Sequence, residues 1–373
     1  MIYLDYQATT PLDPAVRDAM RPYWEDRFGN PHSPHRPGRE AAAAVELARD
    51  RIAALLPAGG TVSFTSGATE ALNWAIKGSS GPIVTLATEH AAVLDTVDAL
   101  ARIGRPVTIV PVRSDGLIDL DAARAAIVPG TALVAAMLVN NEIGVIQPVG
   151  ELAELAHAVG ALFLCDAVQG FGRVDMPATC DMIAVSSHKI HGPKGIGALW
   201  LRDGVAIEPL LHGGGQEAAG RSGTLAPALC AGFGTAAQRM TENRQADGLL
   251  VERLWSRLTT PLLADGWIIN GDRDRRWRGN LNIRKPGIDA ARLISELRDI
   301  AFSAGSACAS GSGRSSHVLK AIGLSEAEAR SSIRLGFGRF TTEGEIERAV
   351  AMILDAATRQ RMWAESPEAA EGA

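Results

Sequence analysis

Residues 161–201 read ALFLCDAVQGFGRVDMPATCDMIAVSSHKIHGPKGIGALWL. Three apolar runs stand out, ALFLCD, CDMIAVS and IGALWL. Each is too short for a helix and is bounded by Gly, Pro or small polar residues, so each reads as a strand. None alternates apolar with polar, which is the pattern of a strand covered on both faces. Upstream, similar runs take turns with helix-like segments. TVSFT (61–65) precedes ATEALNWAIKG (68–78), PIVTLAT (82–88) precedes AAVLDTVDALARIG (91–104), and TALVAAMLV (131–139) leads through a loop to VGELAELAHAVG (149–160). Apolar strands separated by helices predict an α/β fold with a parallel sheet between two helical layers. Functional side chains in such sheets gather in the loops at the carboxyl ends of the strands.

Beyond about Ala246 the pattern changes. GWIING, NLNIR and SSIRLGFG read as strands, AARLISELRDI reads as a helix, and a final helix begins at Thr342 with Glu345 as its capping-box partner. A chain of 373 residues is long for one domain. The expected division is a large domain over 16–245 and a smaller α+β domain made of 1–15 and 246–373. The tail AESPEAAEGA is polar and expected to fray.

Composition narrows the function. Hydrophobic residues make up 46% and charged residues 21%, ordinary for a soluble protein. A net charge of −5 gives no electrostatic reason to expect nucleic acid or an acidic membrane as partner. No run approaches the roughly 18 apolar residues of a membrane span, and the N-terminal stretch MIYLDYQATTPLDP lacks the features of a secretory signal. The four cysteines, Cys165, Cys180, Cys230 and Cys308, are widely spaced, which argues against a zinc site or disulfide framework and suits a reducing cytoplasm. No metal site is expected. Only five of the 37 basic residues are lysines, so few candidates exist for a lysine that bonds a carbonyl cofactor.

Lys189 is the strongest of these. It follows an apolar strand and three small or polar residues suited to phosphate, Ser186, Ser187 and His188, and precedes a Gly/Pro-rich turn. A lysine at a strand end is ordinarily a surface charge. One that forms an imine with an aldehyde cofactor needs a phosphate site beside it, because the phosphate anchors the cofactor. FTSGATEALN (64–73) is a strand, a Gly turn and a helix start, where backbone amides bind anions. Asp166 ends a very apolar strand, where a carboxylate is costly unless partnered; the plain alternative is a helix cap.

The lysine segment, through Gly195 and Gly197, resembles the signature of the class V aminotransferases, a group of pyridoxal 5′-phosphate (PLP) enzymes. Within that group the chain is similar to the cysteine desulfurases of the NifS/IscS type, from YLDYQATTPLDP to SSIRLGFGRFTTEGEIE. The resemblance implies the fold type I of PLP-dependent transferases: a large domain with a mainly parallel seven-stranded sheet, plus a smaller α+β domain. It implies that Lys189 is the Schiff-base lysine. Ala68, Thr69, Ser186 and His188 would bind the cofactor phosphate, Asp166 the pyridine nitrogen and Gln169 the phenolic oxygen. His90 would lie on the ring and assist catalysis, and Asn141 would lie beside cofactor and substrate carboxylate. Thr224, in the Gly-rich, mobile-looking run HGGGQEAAGRSGT, would reach the phosphate of a neighbouring subunit, which implies a homodimer.

Cys308 lies in SAGSACASGSGRSSHVL (303–319), a run of Ser, Gly and Ala with no apolar periodicity, so it reads as a surface loop rather than core. A free cysteine is ordinarily a buried small hydrophobe, and that reading suits Cys165 and Cys230 better. Arg334, on a strand entering the core, needs a partner, and the α-carboxylate of an amino acid offers a bidentate one. By the resemblance, Lys189, Cys308 and His90 are catalytic, Arg334 and Asn141 hold L-cysteine, and the products are L-alanine and a persulfide on Cys308. Sulfur would pass to an acceptor such as an iron–sulfur scaffold protein, with ligation of a cluster by Cys308 during transfer. Two departures, Gly313-Arg314-Ser315 in place of a Leu-Glu-Pro run and a short C-terminal tail, leave the acceptor open. The rivals are a selenocysteine lyase or another class V PLP enzyme, and a catalytically silent binding protein built on the same fold. A lipase reading of HGGG fails for want of a G-x-S-x-G elbow, and there is no phosphate-binding P-loop motif.

Overall fold

The computed structural model describes residues 1–217, 220–305 and 316–364, and Cys308 lies outside them. The apolar runs form one seven-stranded sheet. In spatial order its strands are Gly60–Thr65, Gly197–Arg202, Met182–Ser186, Leu162–Asp166, Leu133–Met137, Ile83–Leu86 and Val107–Val110. Gly197–Arg202 is antiparallel to both neighbours, and the remaining pairings are parallel. The central strands are buried along their length, as continuous apolar runs require. One core packs on each face. One includes Phe64, Phe163, Trp200 and Phe233, the other Trp74, Leu133, Leu164 and Leu199. The edge strand Val107–Val110 is half exposed and is not among the strands expected from the sequence.

A second sheet of four antiparallel strands runs Ser303–Ala304, Ser332–Gly336, Asn280–Arg284, Ile268–Ile269. Its core contains Leu281, Ile333 and Leu335 with Leu254, Leu258, Ile346 and Ile353. The N-terminal strand Ile2–Tyr3 pairs in parallel with Ile300–Ala301, and Leu4 is buried in the same core. The last helix, Glu343–Ala364, is entered through the capping box expected at Thr342. The Thr342 N–H donates to Glu345 Oε2 at 2.8 Å, and the Glu345 N–H donates to Thr342 Oγ1 at 3.2 Å. A division at 245/246 falls in the middle of a continuous 38-residue helix, Pro227–Ala264. The first half of that helix packs Cys230, Phe233 and Met240 against the large sheet, and its second half packs Val251, Leu254 and Leu262 against the small one. Among the described residues no helix is long and apolar enough to cross a membrane.

Candidate active site

The carboxyl ends of the parallel strands open onto one cavity of about 590 Å³. Ala68, Thr69, His90, Asn141, Asp166, Gln169, Ser186, His188, Lys189 and Arg334 all line it. Of the other two residues singled out in the sequence, Thr224 is exposed and does not line the cavity, and Cys308 lies outside the described residues.

The lysine turn is built by close packing. Ser186 ends its strand and Ser187–Lys189 form a single 3-10 turn. Gly192 lets the chain double back, since a Cβ there would meet Ser187 Oγ at 2.0 Å. Gly197 brings its strand against the loop before the Ala68–Gly78 helix, where a Cβ would lie 2.7 Å from Gly67 Cα. The N-terminal segment clamps this turn. Thr10 donates to the His188 carbonyl through both its backbone N–H and its hydroxyl, each at 2.9 Å, and the His191 N–H donates back to Thr10 Oγ1 at 2.7 Å. Lys189 Nζ donates to the carbonyls of Gln7 and of Ala8, the latter at 2.9 Å. Arg173 donates to the Lys189 carbonyl and, at 3.1 Å, to the Gln169 carbonyl. Gln169 Nε2 donates to the Gln7 carbonyl at 3.0 Å. Gln7, Ala8, Thr9 and Lys194 also line the cavity, and sequence reasoning gave them no role. The small polar run QATT ahead of Pro11 was the available signal.

Burial sets the charge states. Asp166 is 7% exposed and accepts the Val168 N–H at 3.0 Å; desolvation raises its pKa against the lowering pull of that bond, His90 and Lys189. His90 caps the Ala91–Arg102 helix, its Nδ1 accepting the Ala92 N–H at 3.0 Å, so the neutral ring carries its proton on Nε2. Burial also lowers the His90 pKa. His188 is pushed down to about 4, by burial first and then by Lys189 and Lys194. Glu89, next to His90 and fully buried, accepts the Met137 N–H at 2.8 Å and is pushed well above the usual carboxylate range by desolvation.

Arg334 is 1% exposed. Its Nη2 donates to Asp5 Oδ1 at 2.8 Å and its Nη1 to the Asn141 carbonyl at 3.2 Å, while Nε is buried with no partner among the described residues. The partner expected from a bound amino acid is thus supplied in part by Asp5, with one donor left over. Cys165, Cys180 and Cys230 are all buried, as a core role requires, and burial pushes Cys230 up to about 12.

These groups fit PLP. The Ala68–Gly78 helix presents an N-terminus without a side-chain cap beside Ser186 and His188, which suits a phosphate. Asp166, whose pKa desolvation raises, would regain a charged partner in a protonated pyridine nitrogen. Lys189 shares the cavity with both.

Comparison with known proteins agrees with this chemistry. A family model described as aminotransferase class-V matches residues 2–349. The chain is 45% identical over 368 residues to cysteine desulfurase IscS of Rickettsia bellii, covering 94% of this chain and 90% of that protein. Among solved structures, a NifS-like protein superposes with a TM-score of 0.89 at 32% identity, covering 96% of this chain and 99% of that one. A structure described as SspA in complex with cysteine superposes at 0.81 with 33% identity, covering 92% and 100%. A cavity that brings Lys189, Asp166 and the start of the Ala68–Gly78 helix together, on a chain matched along nearly its whole length, leads to one conclusion: the chain belongs to the class-V aminotransferase family of PLP enzymes.

Proposed function

We propose that this enzyme is a PLP-dependent cysteine desulfurase that converts L-cysteine and the Cys308 thiol into L-alanine and a Cys308 persulfide. The observation that carries the reading is the meeting, in one cavity, of Lys189, the buried Asp166, and Arg334, whose Nε has no partner among the described residues. Relatives named cysteine desulfurase IscS support it. Bound PLP supplies an electron sink that weakens bonds at the α-carbon of an amino acid and, by conjugation, at Cβ.

Lys189 would hold the cofactor, and its Nζ would take the proton from the substrate Cα and return a proton to the substrate. Asp166 would hold the pyridine N–H, with Ala68, Thr69, Ser186 and His188 on the phosphate, Gln169 on the phenolic oxygen and His90 on the ring. His90, whose Nδ1 is taken by the Ala92 N–H, would assist through Nε2, donating a hydrogen bond from Nε2–H into the cavity while the ring is neutral. Arg334 and Asn141 would orient the substrate carboxylate. Cys308 would attack the substrate sulfur as thiolate: the Cβ–S bond breaks, a proton takes its place at Cβ, and the sulfur leaves on Cys308. Thr224, exposed on the Gly-rich segment, would complete the phosphate site of a partner subunit in a homodimer. A soluble acceptor such as an iron–sulfur scaffold protein would then take the sulfur, with cluster ligation by Cys308 during transfer, in the cytoplasm. The same reading assigns 16–245 to the cofactor-binding domain, and 1–15 with 246–373 to the smaller one.

L-Alanine formation from L-cysteine tests this. Wild type should produce alanine. Cys308→Ser should still change the cofactor spectrum on adding L-cysteine, but should lose alanine production by about 10²-fold or more. Wild-type rates in the serine variant, or turnover of L-selenocysteine but not L-cysteine, would overturn the proposal.

A further inference from the structure

Glu70 sits in the first turn of the Ala68–Gly78 helix, whose opening residues Ala68 and Thr69 line the cavity. Its Oε2 accepts the Ser66 N–H at 2.7 Å, which stiffens the turn into the helix. The same carboxylate accepts Arg221 Nε at 2.8 Å and Nη2 at 3.3 Å. The two side chains are only 13% and 15% exposed. Arg221 stands three residues before Thr224.

A second pair holds the same Gly-rich segment further back. Glu217, 1% exposed in its side chain, accepts Arg49 Nη1 at 2.8 Å and Nη2 at 3.2 Å, and also the Phe64 N–H at 3.1 Å. Shorter bonds brace the segment internally. Gly223 N–H donates to Gln216 Oε1 at 2.7 Å, and Gly215 N–H donates to Ser222 Oγ at 3.1 Å. Composition predicts mobility here, yet two bidentate Arg–Glu pairs tie the segment to the Arg36–Ala53 and Ala68–Gly78 helices, and the Phe64 N–H ties it to the Gly60–Thr65 strand.

We propose that the Glu70–Arg221 pair positions the phosphate site: it locks the turn at 66–69, on which one subunit's phosphate would rest, to the segment that presents Thr224 to the other subunit. This rests on the PLP and homodimer reading above. Backbone amides hold an anion well only when their turn is fixed in advance, and loosening such a site speeds release more than it slows capture. Glu70 and Arg221 touch no reacting atom, so they are positioning residues.

The test measures cofactor release from the holoenzyme, followed by visible absorbance with a trap for free PLP, and hydrogen exchange of peptides covering 209–224. Glu70→Gln and Arg221→Gln should each release PLP roughly tenfold faster than wild type. The double variant should be no faster than either single one, because both remove the same link. Arg221→Lys, which keeps the charge and loses the bidentate fork, should fall between. Exchange in 209–224 should rise in both single variants, with or without cofactor. Wild-type release from both single variants, or additive acceleration in the double variant, would overturn the proposal. So would faster release from Arg221→Gln alone, which would mark a simple charge effect on the phosphate. A wild type that binds no PLP at all would bring down the cofactor reading, and this inference with it.

Discussion

The two walls of the cavity are built differently. The wall at the carboxyl ends of the central strands of the seven-stranded sheet carries Asp166, Ser186, His188 and Lys189, all within one segment of chain, at or just after strand ends. The other wall is assembled from afar. Arg334 comes from the four-stranded sheet, Asn141 from a loop, and Gln7, whose carbonyl receives Lys189, from the N-terminal segment; Asp5, which pairs with Arg334 behind the lining, is 329 residues from it in sequence. In the proposed reaction the first wall does the bond chemistry and the second wall orients the substrate. A strand end can place a charged group at the rim of an apolar core with no help from distant segments. A group that must meet a carboxylate across the cavity needs a second sheet to carry it.

This difference also explains what was legible in the sequence. Asp166 ends an apolar run and Lys189 follows one through Ser186, Ser187 and His188, so local contrast marks their positions, while their roles rest on the family resemblance. Six of the seven strands of the large sheet follow from the same contrast, and the count of seven rests on the family resemblance. The carbonyls of Gln7 and Ala8 that receive Lys189 are different, because a backbone acceptor leaves no trace in residue identity, and 181 to 182 residues separate the partners. Asp5, which takes much of the charge of Arg334, is hidden in the sequence by the same long separation. The Gly-rich segment misleads in the opposite sense. Its glycines suggest freedom, whereas its restraint comes from Arg49 and Glu70, 168 and 151 residues away from their partners.

If the walls divide the work as described, damage to the first should strike turnover and damage to the second should strike binding. The largest effect is expected for Lys189→Ala, with turnover of L-cysteine falling on the order of 10⁴-fold, since the acid and base at Cα are both lost. A normal kcat in that variant would break the comparison outright. Asp166→Asn should keep the cofactor but lose about 10²- to 10³-fold in kcat, because an amide cannot stabilise a pyridinium charge; steady-state kinetics beside a cofactor titration decides it.

Across the cavity, Arg334→Gln should raise KM for L-cysteine about 10- to 100-fold while changing kcat much less. A kcat loss with unchanged KM would place Arg334 in the chemistry and erase the distinction between the walls. The smallest effect concerns the clamp on the lysine turn. His188 and His191 titrate near 4 and 3 in the folded protein, mainly through burial, against about 6.5 in an unfolded chain. Below about pH 6.5 the unfolded state therefore binds protons that the folded state refuses, so stability falls as pH falls and levels off only near the folded values. Denaturant melts of cofactor-free protein should show a lower midpoint at about pH 5 than at pH 7, and equal midpoints would mean that these rings are not buried neutral.

The whole mechanism depends on Lys189. Borohydride reduction of the purified holoenzyme fixes a lysine-bound carbonyl cofactor as a stable amine, and peptide mapping by mass spectrometry then locates it. The predicted result is a phosphopyridoxyl group on the peptide carrying Lys189 and on none of the peptides carrying Lys77, Lys194, Lys285 or Lys320. Modification of any of those four in place of Lys189, or no modification of a protein that turns over L-cysteine, would contradict it.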